Sequence, residues 1–262
     1  MSAPSIATSK VIVAGVAGGL LSGLFGVGGG IVMVPIFVFW LGLDTKRAIT
    51  TSLVAIIPIA VFGAAGYAVG GAVAWLIGLA VGLGSIAGGQ IGARLLPWVP
   101  VPGLQVAFAL LLGYSAFRLA FPDEPAAEVI ADGNVPVPWL VLLVAGLVAG
   151  VIAALLGVGG GIVIVPALVL LAGVDLTVAR GTSLLVVVMT AVTASITNIR
   201  AGRTDVRVGV IAGLAGAPAA LAASFLGQWL PERVAALLFA LLMVVAALQL
   251  LRRAAQRDPT PE

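Results

Sequence analysis

Long apolar runs, broken by brief clusters of charge, proline and glycine, set the rhythm of this chain. Cutting at those clusters leaves ten hydrophobic segments, roughly over residues 11–26, 31–43, 48–69, 72–93, 103–121, 137–157, 162–174, 179–199, 208–227 and 234–251. A bilayer core asks for about 20 apolar residues per spanning helix. Most segments therefore predict transmembrane helices. Those at 31–43 and 162–174 are too short to cross unaided and predict half-length or re-entrant helices. The expected fold class is all-α, a polytopic transmembrane helical bundle.

The pattern occurs twice. "LFGVGGGIVMVP" at residues 24–35 and "LLGVGGGIVIVP" at 155–166 agree at 10 of 12 positions with an offset of 131, and the offset also aligns Gly42 with Gly173, Asp44 with Asp175, Ala48 with Ala179 and "TSL" at 51–53 with "TSL" at 182–184. Five segments per copy is an odd number, so consecutive copies enter the membrane from opposite faces, which predicts two inverted-topology repeats. The first repeat covers residues 1–121 and the second 137–262, within one membrane domain. Between them, residues 122–136 form an acidic, proline-rich linker expected outside the membrane.

Composition agrees with the pattern: 61% of residues are hydrophobic and 9% charged, with a mean hydropathy of +1.25. Lipid is the expected solvent for most side chains. Cysteine and histidine are absent, which removes disulfides, thiolate nucleophiles and the usual zinc ligands. No metal, cofactor or catalytic residue is expected. The net charge of +3 comes from residues scattered between apolar runs, a placement that fits topology determinants and not a nucleic-acid surface. With both termini in the cytoplasm, ten of the thirteen basic residues fall inside and only Arg118, Arg180 and Arg233 outside, as short cytoplasmic loops require. The N-terminal stretch lacks the charge and cleavage pattern of a signal peptide and is expected to be retained. A multi-pass protein of the cytoplasmic membrane follows. Homo-oligomerisation is compatible with the sequence but not readable from it.

Each GVGGG must end one helix and start another inside apolar sequence. Irregular backbone at membrane depth is tolerated only where it is buried in protein or lines a polar cavity. The helix starts that follow, Gly28, Gly29, Gly30 and Ile31 in one copy and Gly159, Gly160, Gly161 and Ile162 in the other, present free N–H groups and positive dipole ends, which attract anions. The competing reading is close helix packing, with Gly15, Gly18, Gly19 and Gly23 as small-residue contacts. Neither GVGGG completes a dinucleotide fingerprint or a P-loop.

The hydroxyls of Thr51, Ser52, Thr182 and Ser183 are candidate ligand groups, with helix capping or back-bonding as the alternative. Arg47 and Arg180 are accessory candidates, the latter placed near the outer mouth where it steers anions without joining the site. Thr193, Asn198 and Tyr67 are further accessory positions, and Tyr67 aligns with Asn198 across the repeat. Asp44 and Asp175 read as helix-start acids or as functional groups.

With GVGGG, a short helix and then A-x-x-T-S-L in both halves, and with the small-residue run "GSIAGGQIGARL" at 84–95, the chain resembles the sulfite exporter TauE/SafE family, also described as the toluene sulfonate uptake permease family. The matching residues are Gly26 to Gly30, Pro35, Ala48 and Thr51 to Leu53, then Gly157 to Gly161, Pro166, Ala179 and Thr182 to Leu184. The resemblance implies a small inner-membrane permease for sulfite, sulfonates or related organosulfur anions, without enzymatic activity, and seven or eight crossings. Its expected partners are a small anionic substrate and the lipid bilayer. Another permeant, such as a carboxylate or a cation, and a non-transporting membrane assembly partner are the alternatives.

Overall fold

The computed structural model describes residues 8–99, 101–121 and 137–255; the linker expected at 122–136 lies outside them. Among the described residues there are ten helices and no strand. They are α1 (Thr8–Phe25), α2 (Gly30–Phe39), α3 (Thr45–Val69), α4 (Trp75–Leu95), α5 (Val101–Ala120), α6 (Trp139–Leu156), α7 (Gly161–Ala172), α8 (Leu176–Arg200), α9 (Val206–Trp229) and α10 (Glu232–Ala255). Seven of these are long and apolar enough to cross a membrane: α1, α3, α4, α6, α8, α9 and, over Glu232–Arg252, α10. At 10 and 12 residues, α2 and α7 reach only about 15–18 Å.

Helix boundaries follow from capping chemistry. Asp44 Oδ1 accepts from the amides of Lys46 and Arg47 at 2.9 and 3.1 Å, and Asp175 Oδ1 accepts from those of Thr177 and Val178 at 2.8 and 3.1 Å. Both acids are therefore N-caps. They start α3 and α8 three residues ahead of the apolar runs at 48 and 179, because a cap precedes the hydrophobic pattern that it initiates.

Glycine brings the helices together. A methyl group on Gly15, Gly19 or Gly23 would run into the backbone of Ala212, Gly216 or Ala220 in turn, so α1 and α9 lie parallel with their backbones in contact. Gly84, Gly88 and Gly92 meet Leu143, Leu147 and Val151 in the same rising order, so α4 and α6 are parallel too. The packing reading was correct for the glycines of α1. Gly209 and Gly213 set α9 along α3, while Gly78 and Gly82 set α4 along α8. Between α3 and α8 the order reverses, Gly63 meeting Leu184 and Tyr67 meeting Gly181, and these two run antiparallel.

One end of the bundle thus carries the starts of α1, α3 and α9 and the ends of α4 and α8; the other end carries the reverse set. The five tryptophans are all more than half exposed and stand at these two ends. Trp40 and Trp98 mark the first, and Trp75, Trp139 and Trp229 the second. Amphipathic indoles at two levels are the expected marks of the two membrane interfaces.

Candidate functional site

After α1 the chain doubles back. Gly26, Gly28 and Gly29 have φ of 71°, 81° and 73°, and Gly157, Gly159 and Gly160 have 68°, 82° and 91°. An L side chain in this region costs roughly 1–2 kcal/mol per residue, which explains three glycines in each turn. The first turn returns along α1 so that Gly29 lies on the Gly18 carbonyl, and α2 starts there with Met33 against Gly18. The earliest bonds of α2 are from the amides of Val32 and Met33 to Gly29 O, both at 3.2 Å; those of α7 are from Val163 and Ile164 to Gly160 O at 2.9 and 3.0 Å. That leaves the amides of Gly30, Ile31, Gly161 and Ile162 as terminal donors.

The two turns cross in direct backbone contact. Gly30 abuts the Gly157 carbonyl and Val158, and Gly161 abuts the Gly26 carbonyl and Val27. Gly28 and Gly159 both lie against Ile56 and Val187, residues halfway along α3 and α8 and themselves fully buried. The crossing is central and apolar. Beside it, a cleft of about 30 Å³ lined by Gly30, Ile31, Thr45, Ile49 and Gln249 among others has room for about two water molecules.

The threonine and serine of each TSL motif reach across to the other half. Ser52 Oγ donates toward Gly157 O at 2.7 Å and Ile49 O at 2.8 Å, and Ser183 Oγ toward Gly26 O at 2.6 Å and Arg180 O at 2.7 Å. Thr51 Oγ1 accepts from the amide of Asp205 at 3.1 Å, and Thr182 Oγ1 from that of Ala74 at 2.9 Å. These acceptances fix the starts of α9 and α4. Of the four candidate hydroxyls, the structure thus brings Ser52 and Ser183 to the glycine turns and sets Thr51 and Thr182 against the starts of α9 and α4, each engaged with backbone. Thr193 bonds back to Met189 O and Thr190 O, both at 3.0 Å. Asn198 Nδ2 donates to Ala194 O at 2.9 Å, leaving its Oδ1 without a partner.

Arg47 is half exposed, 3.9 Å from Asp205. Arg180 is buried. It was expected at a solvent-facing mouth; instead its relative exposure is 0%, its backbone and Cβ lie against Gly26, and none of its three guanidinium nitrogens has a hydrogen-bond partner. The physical reason is that Asp175 starts α8 early enough to put Arg180 in its second turn, beneath the first glycine turn. Tyr67, also fully buried, closes the same region and donates from its hydroxyl to Gly23 O at 2.9 Å. A second polar group missed in the sequence is Ser22, 0% exposed, its Oγ unpartnered, one turn before Gly26.

The family described as sulfite exporter TauE/SafE matches residues 2–119 and 142–262, which takes in both turns and both TSL motifs. The chain belongs to the sulfite exporter TauE/SafE family. Among curated proteins it is 32% identical over 126 residues to "Probable membrane transporter protein YunE" of Bacillus subtilis (strain 168), covering 45% of this chain and 46% of the relative. It is 29% identical over 113 residues to "Probable membrane transporter protein YdhB" of the same organism, covering 43% and 46%. Each alignment thus spans about half the length of the curated relative. Membership of TauE/SafE makes this chain one of a family of membrane transporters, and seven apolar helices make it a multi-pass membrane protein.

Proposed function

We propose that the protein is a permease that carries a small sulfur-containing oxyanion, sulfite or an organic sulfonate, across the cytoplasmic membrane. The observation that carries this reading is the crossing of the two glycine turns: two broken helices start at mid-depth, in direct contact, with free amides at their N-termini. Irregular backbone in that position is the usual construction of a transport site. Sulfite is taken from the family's description, and a sulfonate presents a similar sulfur-oxygen head group.

The course of the helices supports two inverted repeats. α1 and α3 point one way while their counterparts α6 and α8 point the other, and α4 and α9 are likewise opposed. Charge supports the orientation. The bundle end with the start of α1 also carries Lys46, Arg47, Arg94, Arg200, Arg203 and Arg207, so that end is assigned to the cytoplasm, with both termini.

Purified protein in liposomes should take up radiolabelled sulfite or methanesulfonate well above protein-free vesicles. A Gly29→Leu or Gly160→Leu variant that still inserts should not. Uptake no faster than through empty vesicles for every sulfur anion tried overturns the reading.

A further inference from the structure

We infer that the anion binds off-centre at one level only, on the guanidinium of Arg180 with the hydroxyl of Ser22 as a second donor, toward the bundle end where α8 starts. This rests on the reading of the chain as an anion permease. Two donors are buried here without a partner. Both side chains are 0% exposed and neither has a hydrogen-bond acceptor. Both adjoin Gly26: Arg180 packs its Cα and Cβ on it, and the Ser22 carbonyl accepts the Gly26 amide at 2.8 Å. Gly18, four residues before Ser22 and so on the same helix face, looks toward Met33 and Gly29, which turns Ser22 toward the loop.

A buried guanidinium without a partner is an expensive arrangement. The group that faces it most closely in electrostatic terms is the Tyr67 hydroxyl, a neutral one, ahead of the carboxylates of Asp175 and Glu232, and neither carboxylate forms an ion pair with it; Asp175 caps α8, and the ion pair seen among the described residues joins Arg47 to Asp205. An oxyanion supplies what is missing, because its oxygens match the fork of guanidinium donors. Tyr67 is a positioning residue. Its hydroxyl proton is engaged with Gly23 O, and its ring fills the space that Gly181 leaves by lacking a side chain.

The duplication shows that the site is single. An offset of 131 relates Arg180 to Ile49 and Ser22 to Ala153, so the corresponding level in the other half has neither donor. Between the two levels stand Ile56 and Val187, which offer an anion nothing.

The test is titration of the purified protein in lipid nanodiscs with sodium sulfite and, separately, with methanesulfonate, followed by calorimetry and thermal unfolding. Wild type should bind one anion per chain. Arg180→Gln should weaken binding at least about 30-fold, while the unliganded variant unfolds at the same or a higher temperature, since an unpaired buried cation has been removed. Arg180→Lys should keep weaker, measurable binding, roughly 10-fold down, as a point charge replaces the fork. Ser22→Ala should cost a few-fold without lowering unliganded stability. Unchanged affinity in Arg180→Gln overturns the assignment. So does loss of folded protein in that variant, because it makes the arginine a structural element. Wild-type transport with an unaffected Gln variant leaves the permease reading standing; a wild type that neither binds nor moves any of the anions removes both.

Discussion

Three glycines with positive φ make a graded test of the crossing. Gly42, at φ 69°, has nothing within 4 Å of where a Cβ would stand, so Gly42→Ala meets only the dihedral cost, about 1 kcal/mol. Gly160, at φ 91°, would place a methyl 3.1 Å from Ala153 Cβ and 3.3 Å from Ile164 Cδ1. Ile164 can rotate aside and Ala153 needs to shift by only a few tenths of an ångström, so Gly160→Ala should cost about 2 kcal/mol. Gly29, at φ 73°, would drive its methyl into the Gly18 carbonyl. Backbone on a helix held against α9 cannot move aside, and dihedral and overpacking costs then combine to about 3–4 kcal/mol. Reversible unfolding of the three variants in mixed micelles, with the wild-type slope retained, should give the order Gly42, Gly160, Gly29. If Gly29→Ala is no worse than Gly42→Ala, the doubling back of the first turn onto α1 is wrong. A reversed order of Gly29 and Gly160 would show that the two turns are not built as described.

Other expectations follow from the same geometry. Ser52→Ala and Ser183→Ala should each destabilise by about 1 kcal/mol in the same unfolding assay, since each leaves a buried glycine carbonyl without its donor. Asp44→Ala and Asp175→Ala should each cost about 1 kcal/mol through loss of an N-cap, read as a lowered unfolding midpoint. Removing the exposed Arg47–Asp205 contact with Arg47→Gln should change stability by less than about 1 kcal/mol, and less still in high salt. A reporter fused after Gly133 should read outside the cytoplasm and one after Arg203 inside; the same side for both would refute the inverted arrangement.

Much of the scaffold was legible because it depends on local chemistry repeated at a fixed spacing. The GVGGG turns, the short helices after them and the capping acids each state their role in a few residues. The function of the serines was harder to read. A hydroxyl in the middle of a triplet repeated in both halves fits a ligand contact as well as a brace, and only the position of the opposite turn decides that Ser52 faces Gly157 and Ser183 faces Gly26. Arg180 was misplaced because a charge close to a predicted helix start looks like a loop charge. The signal that locates it was in the duplication: the repeat aligns it with Ile49, and a cation at the counterpart of a buried aliphatic position has been put inside.

The comparison between halves extends beyond that residue. The pairs that remain identical, Asp44 with Asp175, Thr51 with Thr182, Ser52 with Ser183 and the glycines of the two turns, are all engaged with backbone as caps, braces or tight turns. Each performs the same task at both ends of the bundle, so change in one copy would unbalance a contact that the other copy keeps. The pairs that differ include Arg180 against Ile49, Ser22 against Ala153 and Asn198 against Tyr67. Of these, Arg180, Ser22 and Asn198 each carry buried polar atoms with no partner. A ligand that lacks two-fold symmetry gives a duplicated fold no reason to keep both copies of the groups that touch it. In this chain identity between the halves falls on framework contacts, and the buried polar groups without a partner among the described residues all fall at positions where the halves differ.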